Sequence, residues 1–343
     1  MDKKFGKIVN HLGLNKFYNY EMKKNLISFY DPSIGSQNIG DEIIAESGYE
    51  IINQLFKEEQ IIKFPTHTGI KSIGLTQSNR SKIRFLCGSN LLQSNMHLIL
   101  PNQFVMSLFD FLKSNKFLLF GIGWQSYRKE ISFYSKKILP FILDNYFMHS
   151  VRDDYTKNQL NSIGINNIIN TGCPTMWKFT KEFCKTIESD KAEKVVFTLN
   201  SYVKNFDYDK KMINTLCTNY NDVFFWPQGA EDLKYFKQIN RQSKIKIIPA
   251  KLSSFVSFLN ENKIDYIGKR LHGGIKALQL RKRTIIIGID NRAIEKKKDF
   301  NLPVVLEENG INALEKEIGK KINFNIKLKN ENIKRWKEQF LYE

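Results

Sequence analysis

Two spacings of apolar positions take turns along this chain. Short apolar runs, the mark of strands, are followed by stretches with apolar residues three and four apart, the mark of helices. Strands are expected at 25–31, 82–87 and 117–123, and the run 167–174 closes the amino-terminal half. Helices are expected from 41 through the pairs Ile43/Ile44, Ile51/Ile52 and Leu55/Phe56, and at 104–112, 131–143 and 156–163. Gly48 falls between those pairs and permits close packing. The stretch 177–193 is polar and mixed, so a domain boundary is placed there. A second series follows, with strands at 194–200, 222–228, 244–248, 263–267 and 284–289 and helices at 209–219, 230–240, 253–261 and 273–281. Such alternation means parallel sheets covered on both faces. The expected fold class is α/β, two Rossmann-like domains facing across a cleft. Their ranges are 1–180 and 181–310, and 311–343 is a carboxy-terminal helical tail. Leu328, Ile333, Trp336 and Phe340 form a stripe that packs the tail on the body.

Each strand leads into a polar or glycine-rich loop, and one of these loops carries chemistry. The strand at 263–267 runs into Arg270-Leu271-His272, and Gly273-Gly274 turn the chain into the next helix. Ligands of open α/β sheets bind at the carboxyl ends of strands. A helix start adds N–H groups and a partial positive charge, so this turn suits an anion. Glycines without a Cβ let a ligand approach the backbone. A surface arginine and a capping histidine at an ordinary corner would give the same letters.

Composition narrows the partners. The 343 residues carry 53 basic and 35 acidic side chains, a formal charge of +18, and 42% hydrophobic residues. That charge favours an anionic partner: nucleic acid, an acidic membrane surface or a phosphorylated substrate. A lysine- and asparagine-rich composition of an AT-rich genome explains part of the excess. No apolar run approaches the roughly 20 residues of a membrane span, and no apolar region follows Met1 as in a secretory leader. Cys87, Cys173, Cys184 and Cys217 lack paired spacing and are expected as reduced thiols of a cytoplasmic protein.

Several familiar motifs fail on inspection. Gly35 and Gly40 have phosphate-loop spacing, but Asp41-Glu42 stands in place of Lys-Ser/Thr. Those acids also suit the first turn of a helix. Gly121-x-Gly123 lacks the third glycine of a dinucleotide loop, since Ser126 stands there, and no acidic ribose anchor follows. Asp207-Tyr208-Asp209 matches a metal-binding DxD by letter, but a helix cap explains it better. The five histidines show no zinc spacing, and no metal or cofactor is expected. Beyond charge there is no nucleic-acid signature.

Taken in order, Asn38-Ile39-Gly40-Asp41, Gly88-Ser89-Asn90-Leu91-Leu92, Gly121-Ile122-Gly123, Ser150-Val151-Arg152-Asp153 with Leu160 and Gly164, and Arg270-Leu271-His272-Gly273 resemble the polysaccharide pyruvyl transferase family. The resemblance covers roughly 25–305. It departs at Gly172-Cys173-Pro174, where the family has Gly-Asp-Pro, and at Gly88-Ser89-Asn90, where a pair of glycines is usual. It implies a fold similar to the two-domain GT-B glycosyltransferases. The implied activity moves the enolpyruvyl carbons of phosphoenolpyruvate onto two sugar hydroxyls, making a cyclic pyruvate ketal and phosphate. Acceptors are sugars of capsules, exopolysaccharides or cell-wall polymers, often lipid-linked. The resemblance assigns Arg270-Leu271-His272 to the donor site, with Arg152 joining by its matching position, and Gly273 and Gly274 are expected to bind the donor beside them. It places the acceptor at Asn38, Gly40, Ser89 and Asn90, in the amino-terminal domain.

Phosphoenolpyruvate carries a carboxylate and a phosphate, which arginine forks bind bidentately. A salt bridge to Asp153 or Asp154 is the structural alternative for Arg152. Ketal formation needs a proton on the methylene carbon, for which His272 titrates in the right range. It also needs a base at the acceptor hydroxyl, for which Asp41 is the candidate. The net charge suggests loose attachment to the anionic inner leaflet, where lipid-linked acceptors reside. The competing expectations are a GT-B glycosyltransferase using a nucleotide sugar and a non-catalytic basic protein.

Overall fold

The structure, a computed structural model, describes residues 23–96, 103–125, 127, 130–240 and 244–341. The residues after Met1 and Ser126, on which two of the exclusions above rest, lie outside that set. The described residues fall into two compact units. One draws on Met1–Gly35, Ser47–Pro174 and Asn330–Glu343, the other on Ser36–Glu46 and Thr175–Lys329. Both are mixed α/β with parallel sheets, Rossmann-like in construction.

In the first unit, β1 (Lys23–Asp31), β2 (Gln60–Pro65), β3 (Ser81–Cys87) and β4 (Leu118–Phe120) form a parallel sheet in the order β2-β1-β3-β4. A parallel pair, β5 (His149–Val151) and β6 (Ile168–Asn170), continues beyond it. Gly121 N–H donates to Ser150 O at 3.0 Å and Arg152 N–H to Ile122 O at 3.0 Å, which joins the pair to the end of β4. β1 is apolar on both faces, with Ile27, Phe29 and Tyr30 fully buried, as a central parallel strand requires. The helix α1 (Ile39–Leu55) begins in the second unit and ends in the first. Gly48 lets it lie on the sheet: a Cβ there would stand 2.5 Å from Cys87 Sγ. The connections also contain α2 (Lys71–Asn79), α3 (Leu108–Lys113), α4 (Phe133–Ile142) and α5 (Asp154–Asn161).

In the second unit, β7 (Lys194–Thr198), β8 (Asp222–Phe225), β9 (Lys246–Ile247), β10 (Asp265–Gly268), β11 (Thr284–Gly288) and β12 (Val304–Leu306) run parallel in the order β12-β11-β10-β7-β8-β9. The winding reverses between β7 and β10. That reversal is the crevice at which doubly wound sheets hold ligands. Helices α6 (Lys181–Lys185), α7 (Phe206–Asn219), α8 (Asp232–Ile239), α9 (Leu252–Glu261), α10 (Leu271–Gln279), α11 (Asn291–Phe300) and α12 (Gly310–Ile318) complete it.

These contacts group the chain differently from the ranges 1–180, 181–310 and 311–343. The unit changes at Pro174/Thr175. The stretch after 310 is shared: α12 stays with the second sheet, and α13 (Asn330–Glu338) packs on the first unit. Aromatic rings explain the return. Trp336 stacks on Phe120 at 4.7 Å, and Phe340 meets Phe85 at 5.6 Å. Among the described residues no helix is long and apolar enough to cross a membrane.

His149 locks the junction of β4 and β5. Leu119 N–H donates to its Nδ1 at 3.1 Å, so Nε2 carries the proton and donates to Asp144 O at 2.8 Å. Burial lowers its pKa from 6.5 to about 4. The unfolded chain takes up this proton near 6.5 and the folded chain only near 4, so stability falls as pH drops through that window. We expect a loss of about 2 kcal/mol between pH 7 and pH 5 from this group. Urea midpoints of the wild type and His149→Gln across the window check it. Equal slopes in the two proteins refute the assignment.

Candidate functional site

The reversal point of the second sheet is built around the backbone of Arg270. Its N–H donates to Thr198 Oγ1 at 3.2 Å, and its carbonyl accepts from Tyr266 Oη at 2.8 Å. The tyrosine has a single proton, so the 2.7 Å contact between Thr198 and Tyr266 has threonine as donor. This closed ring holds Arg270 extended (φ −94°, ψ 102°) just ahead of α10. It needs Gly268, where a Cβ would collide with Thr198.

The Arg270 side chain is buried and paired. Nε donates to Asp232 Oδ2 at 3.0 Å and to Leu199 O at 3.0 Å, and Nη2 donates to Asp232 Oδ1. Asp232, fully buried at the start of α8, also accepts from the N–H groups of Ser201 (3.0 Å), Gln228 (3.2 Å) and Gly229 (2.8 Å). A Cβ on Gly229 would collide with the guanidinium. The sequence suggested a free cation, but the charge of Arg270 is balanced by one carboxylate. Its Nη1 has no hydrogen-bond partner among the described residues, and the Tyr202 ring lies 5.0 Å from Cζ.

The loop before α1 belongs to this same unit. Asn38 bridges antiparallel to Gly229, Ile39 N–H donates to Gln228 O (2.9 Å), and Ala230 N–H donates to Gln37 O (3.2 Å). Asn38 Oδ1 accepts from Gln228 Nε2 at 3.1 Å and from Gly40 N–H at 3.2 Å. A Cβ on Gly40 would stand 2.7 Å from Gln228 Nε2. Asn38 and Gly40 thus fasten a loop to the second unit, whereas the sequence reading set them in the first. Asp41 follows, buried, accepting from Ser36 Oγ at 2.6 Å. Burial alone would lower the Arg292 guanidinium, but Asp290 and Asp41 outweigh it and hold it above the ordinary arginine value. Arg292 opens α11, a helix too charged for its apolar pattern to announce.

Leu271 and His272 are buried in the first turn of α10, whose N-cap offers no side-chain acceptor. Gly273 and Gly274 are required by the packing around them. A Cβ at Gly273 would meet Gln228 Oε1 at 2.6 Å and Tyr266 Oη at 2.8 Å, and one at Gly274 would meet Ile286 at 2.5 Å. Gln228, the hub of these contacts, was read in the sequence as the last residue of a strand at 222–228, but β8 ends at Phe225 and leaves it in the loop. Lys269 turns to the other side and is buried with two carboxylates, Asp209 at 2.5 Å and Glu307. Asp209 is therefore an ion-pair partner. The cap of α7 is Asn205, whose Oδ1 accepts from Tyr208 N–H at 3.2 Å.

The remaining candidates gather in the first unit, beside the end of β3. Arg152 is buried, with Nη2 donating to Asn90 Oδ1 and Nε 3.3 Å from Asp153 Oδ2. Asp153 also caps α5 through Thr156 N–H at 2.7 Å. Gly123 is needed because the guanidinium lies against its backbone. Gly121, at φ 65°, makes room for Pro174. Ser89 has φ 62°, donates from Oγ to Gln103 Oε1 at 2.8 Å, and accepts at its carbonyl from Gly123 N–H at 3.0 Å. Cys173, at the departure from the family pattern, is buried. The predicted residues thus form two sets: Asn38, Gly40, Asp41 and 270–274 in the second unit, Ser89, Asn90 and Arg152 in the first. Among the described residues no cluster of His, Cys, Asp and Glu could hold a metal ion.

A chain with parallel sheets and an arginine–histidine turn at the reversal point has the architecture of a ligand-binding α/β enzyme. The model of the polysaccharide pyruvyl transferase family matches residues 38–291, well over half the chain, and the protein belongs to that family of transferases. No curated protein matches it. Among solved structures, a Staphylococcus aureus MnaA–UDP co-structure is similar over 94% of this chain and 98% of that one, with 10% identity and a TM-score of 0.45. At that score the likeness bears on neither site nor activity.

The Arg270–Asp232 pair leads to a stability prediction. Asp232→Asn leaves a buried guanidinium uncompensated and is expected to lower unfolding stability by about 3–5 kcal/mol. Denaturant titration measures it. A change within about 0.5 kcal/mol, the range of an ordinary surface substitution, shows that the pair does not hold this site.

Proposed function

We propose that this protein transfers the enolpyruvyl group of phosphoenolpyruvate to two hydroxyls of a surface-polysaccharide sugar or its lipid-linked precursor. Family membership supports the reaction class. The observation that carries the local assignment is the joining, in one unit, of the Arg270–His272 turn and the Asp41 loop through Asn38, Gln228 and Gly229. The donor anion takes the free Nη1 edge of Arg270 and the N–H groups at the start of α10. His272 gives a proton to the methylene carbon, leaving positive charge at C2. The first sugar oxygen bonds to C2 and Asp41 accepts its proton. The bond from C2 to the phosphate oxygen breaks, and the leaving phosphate takes the proton held by Asp41, so that the proton of the second hydroxyl returns to His272. The second hydroxyl closes the ring, and its released proton restores the site. Arg152 with Ser89 and Asn90 is assigned to substrate binding in the first unit. The GT-B architecture of the family and a cytoplasmic location, loosely held at an acidic membrane surface, are parts of the same proposal.

The test is phosphate release from phosphoenolpyruvate with galactosyl, mannosyl and glucosyl acceptors, nucleotide sugars serving as the contrasting donors. His272→Gln is expected to lower kcat by about 10²- to 10⁴-fold, with a smaller change in donor affinity. Arg270→Lys should mainly raise the donor KM, since an ammonium lacks the planar fork. Wild-type kcat in His272→Gln would place the proton donor elsewhere. Turnover of nucleotide sugars without phosphoenolpyruvate would overturn the reaction.

A further inference from the structure

The second unit has a cavity at the opposite edge of its sheet from Arg270. It holds about 420 Å³ and opens at the amino ends of β11 and β12, lined by Ile285, Pro303 and Val304. Its other walls come from the ends of α11 and α12 and from the segment 319–325. That segment has neither helix nor strand but is fixed at three points. Fully buried Arg283 donates to the carbonyls of Glu317 (3.0 Å), Ile318 (2.9 Å) and Lys320 (2.7 Å). Ile322 N–H donates to Ser189 O at 3.0 Å, and Asn301 Nδ2 donates to Asn325 O at 2.9 Å. The cavity is therefore preformed, and its volume lies in the roughly 300–1,000 Å³ range of small-molecule sites.

Its lining combines apolar, amide and cationic groups with one carboxylate, Glu317. Phe324 and the apolar floor offer a flat surface, and Asn309 and Asn323 offer amide donors and acceptors. Lys320 is tied to Glu317 at 2.6 Å, but Lys297 and Lys316 have no ion-pair partner among the described residues. Both stand in last helical turns, where the helix dipole already favours a cation. What goes beyond that role is their convergence on one cavity with amides and an aromatic ring. An aromatic face, amides and ammonium groups together fit a hydroxyl-rich ring that bears a carboxylate.

We propose that this cavity binds an acidic sugar residue, namely an already pyruvylated unit of the polysaccharide. The identity of that sugar rests on the proposed reaction, because ketal formation turns a neutral sugar into a carboxylate-bearing one. The Arg270 turn needs a neutral acceptor with two free hydroxyls. A modified unit has lost both, so a separate place for it retains the growing chain without blocking the turn.

Calorimetry on the full chain tests this with three probes: a pyruvylated methyl galactoside, methyl galactoside and inorganic phosphate. The pyruvylated sugar is expected to bind, and the Lys297→Gln/Lys316→Gln variant to weaken it by about tenfold or more. Phe324→Ala should also weaken it, whereas Arg270→Lys, which keeps a cation beside buried Asp232, should leave it intact. A circular dichroism spectrum and melting point like those of the wild type show that the lysine variant folds, and Lys316→Gln alone is the milder substitute. Equal affinity for the neutral sugar, no effect of the lysine changes, or loss of binding in Arg270→Lys overturns the second site. Phosphate binding that displaces the sugar and depends equally on the lysines reduces the cavity to an anion site and overturns the sugar. None of these measurements needs turnover. Failure of phosphate release with intact, lysine-dependent binding therefore counts against the reaction and not against the site.

Discussion

The buried pair of Asp232 and Arg270 is the interaction on which the second unit's sheet edge depends. Taking either charge out of water alone would be prohibitive, and removal of one partner typically costs several kcal/mol. The pair is sustained because Asp232 receives three backbone N–H groups as well as the guanidinium. Those N–H groups come from the loops after β7 and β8, and the arginine from the loop after β10. One carboxylate thus ties together three strand ends. The loop before α1 then has a fixed surface to join, since Gln228 and Gly229 are held in place when Asn38 pairs with them.

This arrangement explains what was legible in the sequence. The central strands stood out because burial on both faces makes largely apolar runs, as in β11, or in β1 and β3 with only Ser28 and Arg84 interrupting the buried stretch. Two edge strands did not. β2 carries Lys63 and ends in Pro65, and β12 is three residues long. α11 buries only Ala293 and Phe300 among its apolar residues, beneath a surface of charges. The turn at 270–274 was visible because glycines and an arginine–histidine pair follow a strand. Its partners were not, because Asp232 looks like any acid in a first helical turn and Gln228 like the end of the preceding strand. Their meaning comes from contacts across 38 and 190 residues of chain, which no local pattern carries. Charge was legible only locally: the carboxylate beside Arg152 is its chain neighbour Asp153, which the sequence offered, whereas Asp232 beside Arg270 lies 38 residues away.

That compensation bears on the chemistry in the proposed reading. The protein has a formal charge of +18, yet the cations at the reversal point are balanced: Arg270 by Asp232, Lys269 by Asp209 and Glu307, Arg292 by Asp290. A dianion entering here meets one guanidinium edge and the oriented N–H groups of a helix start rather than a dense positive field. Interactions that hold substrate and product equally lower KM without raising kcat. Phosphate is both part of the donor and the product that must leave. A strongly cationic pocket would retain it after the bond breaks, whereas fixed dipoles and one shared arginine orient the donor and still let phosphate go. In the same proposed reading, Lys297 and Lys316, without ion-pair partners among the described residues, act away from the reacting turn, at the cavity assigned to an acidic sugar.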